Sequence, residues 1–163
     1  MPPEGNLPDP STLKLRRLLL ASEGRPLTKS AIDLAARIAK PQRASVHVFS
    51  IARVWGTGLG LPMPALLPTK AEWDEQREIV ERAVKALRKH GIDASGQVLA
   101  TRKATKRILN EAQRTRCEAI VMAADPPRPR LLADLMWSQE PYRVRRRSKL
   151  PVYLVDRAKN ERG

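Results

Sequence analysis

The apolar run Ile120, Val121, Met122, Ala123 and Ala124 is too short for a globular helix and is closed by Asp125-Pro126-Pro127. It predicts a strand buried on both faces. Val152 to Val155 repeats the pattern. Upstream, Leu15 to Ala21 reads as a first strand ended by Ser22-Glu23-Gly24, where Gly24 permits a sharp turn. Ala44 to Ile51 and Ile92 to Thr101 read as the second and third strands.

Helical periodicity fills the intervals. Leu27, Ala31, Leu34, Ala35 and Ile38 recur at helical spacing, with Pro26 in the first turn and Pro41 just past the end. Thr69-Lys70-Ala71-Glu72 matches a capping box, and the helix it opens runs to His90 with Gly91 as C-cap. Trp73, Val80, Ala83, Val84 and Leu87 form its apolar stripe, and Glu78-Arg82 and Glu81-Lys85 pair on the solvated side. A third helix spans Lys103 to Arg114, with Ala104, Ile108 and Ala112 inward and its charges in water. Between the last two strands lie a short helical segment, Leu131 to Met136, and another that starts near Ser138. Such alternation predicts an α/β fold, a five-stranded parallel sheet sandwiched by helices. In such sheets ligands sit beyond the carboxyl ends of the strands, so the loop after Ala124 is the place to look for function.

A chain of 163 residues suits one domain. Residues 1–13 begin Met-Pro-Pro-Glu-Gly-Asn-Leu-Pro-Asp-Pro and read as a disordered lead; residues 14–157 form the domain and 158–163 a basic tail. A single cysteine makes an intracellular, cytoplasmic location the default, and no apolar run approaches the roughly 20 residues that span a bilayer, so no membrane partner is expected. The net charge of +14 implies nonspecific attraction to polyanions. Arg143, Arg145, Arg146, Arg147 and Lys149 are the densest basic cluster, next to Tyr142. With neither interleaved aromatics nor a helix-turn-helix signature, the cluster supports weak, nonspecific nucleic-acid binding at low salt and no more.

Signatures of other chemistry fail on context. Gly56, Gly58 and Gly60 lack the spacing and the following helix of a phosphate loop, so the connection from Arg53 to Pro68 reads as a flap. Cys117 is a small core residue, since neither His47 nor His90 is placed near it by sequence. His47 reads as a core histidine bonded to a neighbour, because no second metal ligand lies at a useful spacing. No triad, metal-ligand cluster or paired-carboxylate pattern is present, so the chain is not expected to be an enzyme.

The order of elements from Leu15 to Asp156 resembles the universal stress protein family, whose last third has a strand, a loop spaced Gly-x2-Gly-x9-Gly-Ser/Thr, a helix and a Pro-Val strand. The resemblance implies a Rossmann-like sheet of order 3-2-1-4-5. It also implies homodimer formation through the last strand, Val152 to Val155, and a role in the stress response. In nucleotide-binding members an acidic residue after the first strand approaches the adenine, which maps onto Glu23. A residue of the second strand lines the adenine pocket, which maps onto Val48. The three glycines fall on Ala123, Pro126 and Trp137, with one extra residue before Trp137, and the final hydroxyl falls on Ser138. Pro126 lacks an amide donor and Trp137 puts an indole where phosphate would pass, so the usual ATP mode is not expected and no cofactor is assigned. The alternative is an ATP-binding member in which Arg128 and Arg130 replace the lost donors with charge-assisted contacts to phosphate. A third reading is a basic nucleic-acid-associated protein on the same fold.

Overall fold

The computed structural model describes residues 7–54, 67–125 and 139–157. Five parallel strands form one sheet: β1 (Arg17–Ser22), β2 (Ser45–Arg53), β3 (Ala94–Thr101), β4 (Ala119–Ala124) and β5 (Val152–Asp156), in the order β3-β2-β1-β4-β5. Among the described residues four helices cover it: α1 (Lys29–Ala39), α2 (Lys70–Lys89), α3 (Ala104–Arg114) and α4 (Glu140–Arg147). The sandwich is as the alternation of elements predicts, and the strand order is the one that the family resemblance implies. The expected segment Leu131 to Met136, and residues 55–66 of the flap, lie outside the described residues.

The central strands explain the unbroken apolar runs. Every residue of β4, and all of β1 after Arg17, is buried because helices cover both sides of the sheet. Alternate side chains enter different cores. Leu18, Leu20, Val46, Val48, Val121 and Ala123 meet α1 and α2 on one face. Leu19, Ala21, Phe49, Ile51, Ile120 and Met122 meet α3 and α4 on the other.

Helix ends follow local chemistry. Thr28 caps α1 by accepting from the Ala31 amide at 3.2 Å, so the helix starts after Pro26 rather than on it. Thr69 and Glu72 form the predicted capping box of α2, and Gly91, at φ +77°, follows its last turn. The buried stripe of α2 is Gln76, Val80, Ala83 and Leu87, with Trp73 only half-buried. Gly96 of β3 lets α2 approach closely, since a Cβ there would lie 2.2 Å from Val80 Cγ1. The last helix begins two residues after the predicted start: Gln139 is its N-cap and makes no side-chain capping bond. Pro141 falls in its first turn, where the missing amide costs little.

Residues 7–13 carry a 3-10 turn, Pro10–Thr12, capped by Asp9, and Leu7 and Leu13 pack on the α1/α2 core. Tyr153 Oη donates to Pro8 O at 2.6 Å, tying this segment to β5. No helix among the described residues is long and apolar enough to cross a membrane.

Candidate functional site

The chain leaves β1 toward β2 on one side and later enters β4 on the other, so β1 and β4 flank the topological switch point. Beyond their carboxyl ends lies a cluster of arginines and carboxylates. Gly24 makes it possible: its φ of +128° is unfavourable for other residues, and a Cβ there would come within 3.0 Å of Ile51 O. Ser22 Oγ accepts from the Gly24 amide at 3.1 Å and donates to Arg25 O, which closes the turn. Gln76 holds it from outside, donating to Gly24 O at 2.7 Å while accepting from Ser50 Oγ. This buried glutamine on an apolar stripe is the one sign of the contact that the sequence carries.

The turn aims Arg25 across the switch point. Its Nε donates to Glu23 Oε1, and its Nη1 donates to Asp125 Oδ2 at 2.6 Å, joining the end of β1 to the end of β4. Glu23 is 1% exposed, and Arg157, just after β5, brings Nη2 to 3.9 Å from Glu23 Oε1. Arg53, at the end of β2, is half-buried among the same charges. Burial opposes the Arg25 charge, but Glu23 and Asp125 outweigh it and hold the guanidinium above its ordinary range. Burial dominates at Arg53 and Arg157 and draws both below theirs. Tyr142 Oη donates to Asp125 O, and Glu140 accepts from Thr105 Oγ1 and from Arg143 Nη1, the latter at 3.2 Å. Among the described residues, Glu23 Oε2, Arg25 Nη2 and Arg157 Nε have no hydrogen-bond partner.

Of the predicted site residues, Glu23 lies in this cluster. Val48 and Ala123 are almost fully buried side chains of the α1/α2 core, on strands flanking β1. Arg128, Arg130 and Ser138, with Pro126 and Trp137, lie outside the described residues. Sequence reasoning missed Arg25, Arg53, Asp125 and Arg157, because the ion pair between Arg25 and Asp125 spans 100 positions and no local pattern marks it.

A second polar cluster sits near the amino ends of β2 and β3. His47 Nε2 is 2.9 Å from Glu111 Oε1 and its Nδ1 is 3.4 Å from Ser95 Oγ, in keeping with a core histidine bonded to neighbours. Glu111, expected in water with the other charges of α3, is 3% exposed and also accepts from Arg114. Burial would raise its carboxyl, but Arg114 and His47 outweigh it and hold the group below its ordinary range. Cys117 is buried, which pushes its thiol upward despite a contact with Thr115 Oγ1 at 3.2 Å.

Solved structures share the architecture. A universal stress family protein from Burkholderia pseudomallei is 17% identical, with a TM-score of 0.63, 86% of this chain covered and 95% of that one. The universal stress protein from Archaeoglobus fulgidus in complex with dAMP is 18% identical, with a TM-score of 0.62 over 86% of this chain and 97% of that one. A universal stress protein in complex with cAMP is 16% identical, with a TM-score of 0.62 over 87% of this chain and 97% of that one. At these identities the likeness establishes the fold. No curated protein matches the chain significantly. The sequence profile of the Universal stress protein family matches residues 14–156, and the chain belongs to that family.

Proposed function

We propose that this chain is a regulatory universal stress protein of the cytoplasm that works by binding rather than turnover and does not hold ATP in the usual mode. The observation that carries this reading is Arg25, which bridges Glu23 and Asp125 across the switch point where a nucleotide would enter. Glu23, the acid expected to meet adenine, is already committed to arginine. Displacing Arg25 would strip a carboxylate that is 1% exposed of its main counter-charge. Breaking a buried pair in that way costs about 3–5 kcal/mol, equivalent to about two to four orders of magnitude in affinity. The non-enzymatic part of the reading is supported by His47, which is engaged by Glu111, and by Cys117, whose buried thiol is a poor nucleophile.

Calorimetric titration of ATP into the wild type tests the reading. Binding no tighter than about millimolar is expected, and about micromolar affinity would overturn it. A second reading, a nucleotide-binding member with an arginine-lined phosphate site, is favoured by the relatives in complex with dAMP and cAMP. The buried Arg25 Nη2 and Arg157 Nε, without partners among the described residues, favour it too. Arg128, Arg130 and Ser138 would then supply further phosphate contacts.

The same proposal includes a homodimer through Val152 to Val155, because β5 is a sheet edge whose Leu154 and Val155 are only partly covered. Sedimentation should give a dimer that Leu154→Asp, at a partly covered edge position, dissociates; a wild-type monomer at micromolar concentration would remove the idea.

A further inference from the structure

Among the described residues, charge is not shared evenly between the two sides of the sheet. Residues 102–116 and 139–149, which hold α3 and α4 with their flanks, carry eleven Lys and Arg against two carboxylates. Both carboxylates are committed internally, Glu111 to His47 and Arg114 and Glu140 to Thr105 and Arg143. By contrast α2, on the other side, carries six Lys and Arg against five Asp and Glu. Its charges pair along the helix, as Asp74 with Arg77 at 3.3 Å and Glu78 with Arg82.

The fold merges two basic stretches that lie about thirty residues apart in sequence. Ala104, Ile108 and Ala112 of α3 and Val144 of α4 enter one core, which leaves Lys106 and Arg107 on α3 and Arg146 and Arg147 on α4 exposed on the same side of the molecule. Helix stability accounts for part of this. Arg146 and Arg147 sit in the last turn of α4 and complement its dipole, but Arg102 and Lys103 sit at the start of α3 and oppose it. A face that accepts such self-repulsion is poised to gain from an anionic partner.

We propose that the α3–α4 face is a docking surface for the phosphate backbone of nucleic acid, read without regard to sequence. Several features favour this occupant over an anionic membrane. The large apolar side chains of the two helices point into the core, and the exposed large apolar residue among the described ones is Leu67, just before α2. Membrane-surface helices need an apolar face to insert. An α3 of 11 residues spans about 16 Å, long enough to meet several phosphates of a duplex. Tyr142, the aromatic residue of α4, lies under the Arg145 guanidinium at 5.3 Å and offers no stacking platform. Among the described residues the surface therefore supplies charge without an aromatic stacking platform. This inference is independent of what occupies the switch point.

Fluorescence anisotropy with a labelled mixed-sequence duplex, at salt from about 50 to about 200 mM, tests it. The wild type should bind weakly, with a Kd of about 10⁻⁶–10⁻⁴ M at physiological salt, and log affinity should fall against log salt with a slope of about −4. Reversing Lys106, Arg107, Arg146 and Arg147 to Glu should weaken binding about a hundredfold at low salt and flatten the slope. Reversing Arg77, Arg82, Lys85 and Lys89 to Glu on α2 changes the net charge equally and should leave the slope nearly unchanged. Circular dichroism checks folding, and the same four positions changed to Gln carry the comparison if charge reversal unfolds either protein. Equal weakening by the two sets would show that net charge alone attracts the duplex and would overturn the assignment. So would absence of duplex binding at low salt, including the case in which phosphatidylserine vesicles bind instead.

Discussion

Arg25→Met removes the guanidinium that joins β1 to β4 while keeping most of the side chain's apolar length. Glu23 would stay 1% exposed, with Arg157 at 3.9 Å as its nearest remaining cation. Removing one member of a buried pair costs about 3–5 kcal/mol, and the residual arginine argues for the low end, about 3 kcal/mol. For a chain of this size that loss should lower Tm by about 6–12 °C. Adding Glu23→Leu removes the stranded carboxylate, and an apolar pair in place of a buried ion pair is often neutral or stabilising. The double variant should therefore recover part of the deficit, since Asp125 and Arg157 each lose a counter-charge with the pair. Urea denaturation of wild type, both single variants and the double variant gives the coupling energy directly. A deficit below about 1 kcal/mol for Arg25→Met, or additive single effects, would show that the pair does not hold the crevice closed.

Gly96→Ala should destabilise by about 1–3 kcal/mol, because the added methyl meets Val80 Cγ1 at 2.2 Å and Val84 Cγ2 at 3.1 Å. Combined with Val80→Ala, the loss should be smaller than the sum of the two single losses, and additivity in thermal melts would refute the contact. Because the folded chain holds the Glu111 carboxyl below its ordinary range, its contribution is full above the unfolded value of about 4.3 and is lost as pH falls through and below that value. Glu111→Gln should flatten the acid limb of stability against pH, measured by urea melts; an unchanged limb would contradict this. The Cys117 thiol should resist a disulfide reagent in the native state and react stoichiometrically in denaturant, and fast native labelling would show that the base of α3 opens.

The strands and helices were legible because their apolar periods are clean and their caps are local. Thr69 and Glu72 bond across three positions, and a short segment suffices to reveal them. What stayed hidden depends on distant partners. Glu111 lies three positions after Ile108 and seven after Ala104, beside the inward stripe of α3, but its partner His47 lies 64 positions away, so nothing local shows what would neutralise a buried carboxylate there. Gln76 was passed over for the same reason, since its partners are Ser50, within β2, and Gly24, in the turn after β1. Glu23 was found through the position that the family motif assigns it. Its counter-ion Arg25, two residues on, was missed, because the Asp125 that completes the contact lies 100 positions away. The last helix, expected near Ser138, begins at Glu140 after an N-cap Gln139 that makes no side-chain capping bond.

The two basic regions of this molecule differ in what neutralises them, and that difference decides how each responds to its surroundings. At the switch point Arg25 is paired with buried Glu23 and partly buried Asp125, so its interactions should change less with ionic strength than those of exposed charges. On the α3–α4 face Lys106, Arg107, Arg146 and Arg147 are exposed, and charges of that kind are largely screened beyond about 8–10 Å at physiological salt. Raising salt should therefore stabilise the folded chain by relieving repulsion on the face, while leaving the crevice as it is. A nucleic acid bound to the face would provide the same relief and should raise Tm as its concentration passes its Kd. Arg25→Met should lower Tm by the same amount with or without that ligand, because the crevice and the face draw on separate charges.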